Sequence, residues 1–389
     1  MSESFSIAVV GGGAAGIAAA VGAARTGRTT ILLDQHSAAG GTGGFSGLTT
    51  LCGLFDDEGL FLNDGFAREF AEALAERRPP ARLESQEYQL QRAELEIRAS
   101  TRDLNLMKMG RVWVLQYRPE MFRAAAANLF ASTPDLQTRW NTPLTDVVVE
   151  GNRIVSLNGF RVGAVIDCSG SAEVARAIGA DCLATDEITQ SPAVIFPLCN
   201  VTHELNSPAA VAQVLLPLAR AGFPPLNFQT SLELNTITVK FTGRVDQVRD
   251  VIAFLQKNVN GFENCRTTLT EFTATQRAGR MVIGQYLMTG ADVLAARKVP
   301  DAVARCAWPI EQWGVNGEAR FKYLPPGAHY EIPARSLRAA LVPNLFMAGK
   351  TISADTDAIA SARVIGCCLA TGAAAGILAA NYLDSGRYR

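Results

Sequence analysis

Gly11, Gly13 and Gly16 form a G-x-G-x-x-G turn between a β-branched apolar run (residues 7–10) and an Ala-rich segment that reads as helix to about Arg25. Each glycine has its own task. Gly11 permits a tight turn, Gly13 lets a pyrophosphate approach the backbone, and Gly16 lets helix and strand pack closely. The helix start offers unpaired N–H groups and the positive end of its dipole to phosphate oxygens. Asp34 stands eighteen residues after Gly16, at the end of a second strand (residues 29–33). A ribose hydroxyl needs an acceptor there. Strand, glycine turn, helix, second strand and terminal acid in one unit make a dinucleotide site.

Other residues invite chemistry less directly. Arg277, Arg280, Arg305, Arg335 and Arg363 are candidate carboxylate clamps, because a guanidinium binds a carboxylate through two parallel bonds. For each the competing reading is a structural ion pair. Arg363, on the closing segment, is the strongest candidate. Tyr330 and His329 are candidate acid/base groups, with a partly exposed turn histidine as the plainer reading of His329. His36 falls on the adenosine side. Cys52 reads as a packed thiol unless its pKa is lowered. The eight cysteines are scattered, with no C-x-x-C and no zinc spacing, and only three histidines are present. The expectation is therefore no metal site, and a reduced, cytoplasmic protein.

The elements that must position these groups return at both ends of the chain. After the opening unit comes a glycine cluster, Gly40, Gly41, Gly43, Gly44 and Gly47, read as a loop whose backbone passes close to something bulky. A plain nicotinamide dehydrogenase has no need of it, whereas the extended FAD of a flavin enzyme runs past this point. Residues 66–78 read as an amphipathic helix, 83–109 as ambiguous, and 119–131 as a helix with Pro119 in its first turn. A hairpin pattern (147–149, 154–157) precedes a strand at 162–166, which opens through Asp167-Cys-Ser-Gly170 into a helix at 174–178. Residues 180–190 look like a domain crossing. Strands (193–201, 236–242) and helices (208–221, 245–258) then alternate without another nucleotide turn. A strand at 343–350 and a long small-residue helix close the chain. The expected fold class is α/β: a Rossmann-type FAD-binding domain with a parallel sheet (residues 1–185 and 328–389), plus an inserted α+β substrate domain with a mixed or antiparallel sheet (186–327).

With these residues in view, the chain resembles FAD-dependent oxidoreductases of the glutathione-reductase structural superfamily, in the single-nucleotide-domain branch that includes glycine and amino-acid oxidases. The resemblance rests on the opening turn, Gly40–Thr42, Tyr117–Glu120, Asp167–Gly170 and the stretch from Ile332-Pro333 to Gly376. It implies that the turn from Gly11 through Gly13, Ala14 and Ala15 to Gly16 holds the pyrophosphate of a non-covalent FAD. It also implies that Asp34 and Gln35 meet the adenosine ribose and that the Leu144 backbone meets adenine. Gly41, Thr42, Gly170 and Gly349 then lie along the cofactor, and the closing helix aims its N-terminus at the N1/C2=O edge of the isoalloxazine. Lys350 departs from the pattern. Many relatives have an Asp there, and a lysine cannot accept a ribityl hydrogen bond, so phosphate or flavin O2 becomes its expected neighbour. Cys168-Ser-Gly170 stands where relatives read Ala-Thr-Gly, and no Asp-x-His pair occurs near Glu311-Gln-Trp313.

The activity so implied is oxidation of a small organic substrate, an amine or amino acid among the candidates, by hydride transfer to flavin. Electrons then leave to oxygen or another acceptor. A flavin monooxygenase and a binding module with structural FAD are the alternatives. A second dinucleotide fingerprint is missing, which argues against an NADPH-driven disulfide reductase. With 48% hydrophobic and 19% charged residues the chain is globular, and a net charge of −1 gives no footprint for nucleic acid. The uncharged runs 7–24 and 364–383 are rich in Gly and Ala, and read as buried helices rather than membrane spans or a signal peptide.

Overall fold

The computed structural model describes residues 3–74, 104–179, 190–205, 207–277, 279–314 and 318–385. The proposed crossing at 180–190 therefore lies outside them except for Gln190, as does most of the ambiguous stretch 83–109 and the end of the helix expected at 66–78. That helix is described as Phe66–Ala73.

Five strands run parallel, in the spatial order Leu136–Arg139, Thr30–Leu33, Ser4–Val10, Phe160–Asp167 and Leu345–Met347. Two antiparallel strands, Val147–Glu150 and Arg153–Leu157, extend the sheet beside the start of Phe160–Asp167. The sheet is buried on both faces, so its strands read as continuous apolar runs rather than alternating ones. Side chains nevertheless alternate between two cores. Ile7 and Val9 join the larger one with the Ala-rich helices, while Ala8 and Val10 join a smaller one with Ile31, Val165 and Leu345. The register aligns every carboxyl end: Val10 pairs with Leu33 and Asp167, Leu33 with Arg139, and Asp167 with Met347. Ligands of open parallel sheets bind in the crevice beyond such a row.

The first helix, Ala14–Ala24, and the closing helix, Ile365–Asp384, pack against each other on one face of this sheet. Small residues let the backbones touch. A Cβ on Gly372 would sit 2.2 Å from the Ala15 carbonyl oxygen, and one on Gly376 would sit 2.5 Å from that of Ala19. The closing helix is long and apolar enough to cross a membrane, but 72% of its most apolar 18-residue window is buried within the fold. The structure has two helices in this stretch, Thr356–Ala362 and Ile365–Asp384, broken at Arg363 and Val364.

An antiparallel four-stranded sheet stands over the crevice, in the order Leu226–Thr230, Ile237–Phe241, Ala193–Leu198, Ala274–Thr275. Helices Pro208–Arg220 and Val248–Asn258 cover its far side, against Val194, Phe196, Val239 and Phe241. By the two-residue period of a strand, Ile195, Thr238 and Lys240 face the other way. Threonines tie the two parts together: Thr49 and Thr238 hydroxyls lie 2.9 Å apart, and the Thr50 hydroxyl donates to Gln229 Oε1 at 3.1 Å. Two further elements were not foreseen. A three-stranded sheet joins Thr50–Leu51, Val112–Gln116 and Leu106–Met109, and a hairpin joins Ile310–Trp313 to Ala319–Lys322.

Candidate active site

Beyond the aligned strand ends lies a cleft with about 1570 Å³ of space free of protein atoms, including its mouth. It runs from Asp34, Gln35 and Thr142–Leu144, past Gly11–Ala15 and Gly170, to Lys240, Arg277, Glu311 and Arg363. Of the residues singled out in the sequence, Gly11, Gly13, Ala14, Ala15, Asp34, Gln35, Gly41, Thr42, Leu144, Gly170, Gly349, Lys350 and Arg363 all line it. Gly16 does not. Its Cβ would fall 1.7 Å from the Gly11 carbonyl oxygen, so it is needed for packing beneath the turn.

The glycine turn leaves a cradle. Gly11 has φ +102°, and a Cβ there would meet the Cys168 carbonyl at 2.5 Å. Gly13, by contrast, faces space: the nearest atom to its Cβ position is Gly41 Cα, at 3.9 Å. Gly13 is also the N-cap of the first helix and supplies no side-chain cap, so the leading N–H groups open into the cleft. This combination fits a pyrophosphate. At the neighbouring end, Asp34 accepts from the Gly12 N–H, and its Oδ1 accepts from the His36 N–H at 2.7 Å and faces His36 Nδ1 at 2.8 Å.

The glycine cluster is a helical turn, Gly41–Phe45, rather than a loop. Its bulky neighbour is in part the protein itself. A Cβ on Gly43 would lie 2.6 Å from the Phe122 ring, and one on Gly41 would lie 2.8 Å from Gly13 Cα. Opposite, Asp167 is fully buried and holds the turn after its strand. It accepts from the Ser169 N–H at 3.0 Å, the Ser169 hydroxyl at 2.7 Å and the Val174 N–H at 3.0 Å. Lys350 extends over Gly170 and donates to the Gln276 carbonyl at 3.2 Å.

At the far end, charge is concentrated. Glu311 Oε1 accepts from the Trp313 indole at 2.7 Å and Oε2 from the Trp308 indole at 2.9 Å. Burial opposes its ionisation, but the charge of Arg363, both indoles and Lys240 more than offset this and hold the carboxyl below its ordinary range. Arg363 donates through Nη2 to the Glu311 carbonyl at 3.1 Å and to Gln190 Oε1 at 3.2 Å, while its buried Nε has no partner among the described residues. Arg277 stacks on the Trp313 ring, 4.2 Å from its centroid, and donates to the Ser191 carbonyl. Burial, reinforced by Arg363, pulls Arg277 down to about 10. Burial likewise lowers Lys240, and pushes the Cys52 and Cys368 thiols up to about 12. Cys52 lines the cleft as a packed thiol.

Two expectations fail on placement. Tyr330 is fully buried in the main core, its hydroxyl 2.8 Å from that of Ser361. His329 is partly buried beside Lys298, which donates to its carbonyl at 2.6 Å. Neither lines the cleft, so neither is placed for acid/base work there. Arg335 is engaged with Asp301 at 3.0 Å, and Arg280 and Arg305 also lie off the cleft. Lys240 and the Glu311 carboxylate were not proposed from sequence. A single charge in the strand 237–241 was the available signal for Lys240.

Fold and site together define a dinucleotide-binding protein with its ligand crevice at the ends of a parallel sheet. Residues 6–230 and 226–388 match the family model described as FAD dependent oxidoreductase. The chain belongs to that family, and FAD is its cofactor. No curated protein sequence matches significantly. Among solved structures, a geranylgeranyl bacteriochlorophyll reductase-like protein from Thermoplasma acidophilum is similar at 14% identity and a TM-score of 0.50, over 99% of this chain and 80% of that one. GidA of Aquifex aeolicus is similar at 12% identity and a TM-score of 0.50, over 100% of this chain and 64% of that one. Both likenesses are of fold. The helix N–H groups facing the cleft and the glycine cradle fit the pyrophosphate of the family's cofactor.

Proposed function

We propose that this enzyme oxidises a small carboxylate-bearing substrate, such as an amino acid, by hydride transfer to FAD. The observation that carries the reading is the pair Arg277 and Arg363. They come from different segments, Arg363 lies close enough to lower Arg277, and both have Glu311 as counter-ion at the cleft end away from Asp34. Two adjacent guanidiniums with one carboxylate are an anion site, and each retains N–H groups for bidentate binding. FAD, when bound, supplies the hydride-accepting chemistry.

The chain's own residues do the rest. In this reading Gly11, Gly13, Ala14 and Ala15 hold the pyrophosphate, and Asp34, Gln35 and Leu144 meet the adenosine. Gly41, Thr42, Gly170, Gly349 and Lys350 border the remainder. The break at Arg363–Val364 turns the start of the closing helix into the cleft, where its dipole favours developing negative charge by roughly 0.3–2 kcal/mol. Ile195, Trp313 and Val364 add apolar surface beside these charges. Residues 1–185 and 328–389 form the cofactor part and 186–327 the substrate part. A reducing, cytoplasmic setting belongs to the same proposal, on the scattered cysteines.

The test is an anaerobic screen of the FAD-loaded chain with glycine, L-alanine, L-proline and L-lactate, read as bleaching of the flavin band. Bleaching by one of these, lost in Arg277→Met at low substrate and recovered at high substrate, supports the reading. Bleaching only by uncharged amines would replace it. NADPH consumption coupled to hydroxylation would replace it with a monooxygenase.

A further inference from the structure

Oxidation of an amine or alcohol removes a proton as well as a hydride, and the residues expected to take it, Tyr330 and His329, lie off the cleft. We infer that Lys240 is the acid/base residue of this site: its free amine accepts the heteroatom proton of the substrate. This rests on the reading of the cleft as a substrate-oxidation site.

The argument is one of placement. Lys240 sits on the central strand Ile237–Phe241, paired in register with Ile195, and both line the cleft. A strand held by neighbours on both sides fixes its Cβ more firmly than a loop would. Its ammonium has no hydrogen-bond or ion-pair partner among the described residues, so nothing in the fold occupies the group. The charged and titratable groups that face it are Cys52, Glu311, Arg277 and Arg363. None of these is a better acceptor. The guanidiniums keep their protons. Burial holds the Cys52 thiol near 12. Both Glu311 oxygens are taken by indole N–H groups, and Arg363 keeps the carboxylate charged. Lys350 is bonded to the Gln276 carbonyl, over Gly170. Burial and the two arginines favour the uncharged amine of Lys240, against the pull of Cys52 and Glu311.

The step balances. The substrate C–H bond breaks, and its hydrogen leaves with both electrons to the oxidant, FAD. The N–H or O–H proton moves to Lys240 Nζ, and a C=N or C=O bond forms. The amine becomes an ammonium and returns its proton to solvent through the cleft mouth.

Two measurements on the FAD-loaded full chain test this. The first is competitive acetylation with acetic anhydride, from about pH 6 to about pH 11, around the ordinary lysine value. Mass spectrometry of peptides compares Lys240 with Lys257, exposed at the end of its helix. Lys240 should acetylate with the lower midpoint. An equal or higher midpoint overturns the inference, whether or not any donor bleaches the flavin. The second takes whichever of glycine, L-alanine, L-proline or L-lactate bleaches the wild-type chain. Lys240→Met should bind FAD with unchanged stoichiometry, bleach about 10²–10⁴-fold more slowly, and lose the acidic limb of the pH–rate profile. Added methylamine should restore part of the rate. Lys240→Arg keeps the charge without a releasable proton and should be equally slow. A wild-type rate in either variant overturns the inference. Failure of all four donors on the wild-type chain would instead count against the substrate reading, leaving acetylation to judge Lys240.

Discussion

Glu311→Gln is the perturbation that best tests how the charged end of the cleft is held together. The carboxylate accepts one indole N–H on each oxygen, at 2.7 and 2.9 Å. Glutamine has nearly the same shape but only one accepting oxygen, so one tryptophan must face an NH₂ group. A buried donor left without its partner costs about 1–3 kcal/mol. Arg363 and Arg277 also lose their shared counter-charge. Breaking a fully buried pair costs about 3–5 kcal/mol, and the open cleft reduces that. The sum should be a destabilisation of about 2–4 kcal/mol at neutral pH, measured by urea unfolding at matched m-values. The pH dependence has a defined sign. The folded-state pKa of Glu311 is held below its ordinary value of 4.5. Its stabilisation is therefore fully present above that value and is lost as pH falls through the lower, folded value. The gap between wild type and variant should close in acid. Equal midpoints at neutral pH, or a gap unchanged in acid, would refute the reasoning.

Gly16→Ala should abolish FAD binding, seen as a colourless preparation that free FAD does not restore, because the added methyl would overlap the Gly11 carbonyl at 1.7 Å. Tyr330→Phe should cost only about 0.5–1.5 kcal/mol in unfolding, the worth of its bond to Ser361, and leave the pH profile of flavin bleaching unmoved. Cys52 in the folded holoprotein should resist iodoacetamide at neutral pH and react once urea exposes it, since burial keeps its thiol near 12. Asn344→Ala should destabilise by several kcal/mol without touching cofactor spectra. The Asn344 amide is fully buried, accepts from the Ile154 N–H, and donates to the Ile154 and Gly163 carbonyls at 2.7 and 3.0 Å.

The cofactor end was legible because its chemistry is local. Gly11, Gly13, Gly16 and Asp34 lie within one strand–helix–strand unit, and the physical demands on each are written in its residue type. The closing strand and helix were legible as elements, but the break at Arg363 was not. No proline marks it, and at the break Val364 takes an extended conformation where the chain passes the cleft. The substrate end was harder for a different reason. Lys240, Arg277, Glu311 and Arg363 come from four segments, and only tertiary packing brings them together. Strand alternation could place Lys240 on one face of 237–241, yet nothing in the sequence says what that face meets. Tyr330 and His329 misled because sequence neighbourhood to a cofactor strand is not proximity to the cofactor. Tyr330 points from its strand into the core, and the adjacent turn carries His329 away.

The interlocked glycines of the first and closing helices have a consequence for synthesis. The surface that Ala15 and Ala19 present is completed by Gly372 and Gly376, more than three hundred and fifty residues later. A ribosome therefore releases the phosphate-binding turn long before the partner that buries its supporting helix exists. Until the helix Ile365–Asp384 emerges, the first helix keeps an uncovered Ala-rich flank, and that cleft wall is incomplete. Contacts of such sequence separation form late and slowly. Flavin loading should then wait for this helix, and a nascent chain stalled before residue 365 should be a client for chaperones rather than a yellow intermediate.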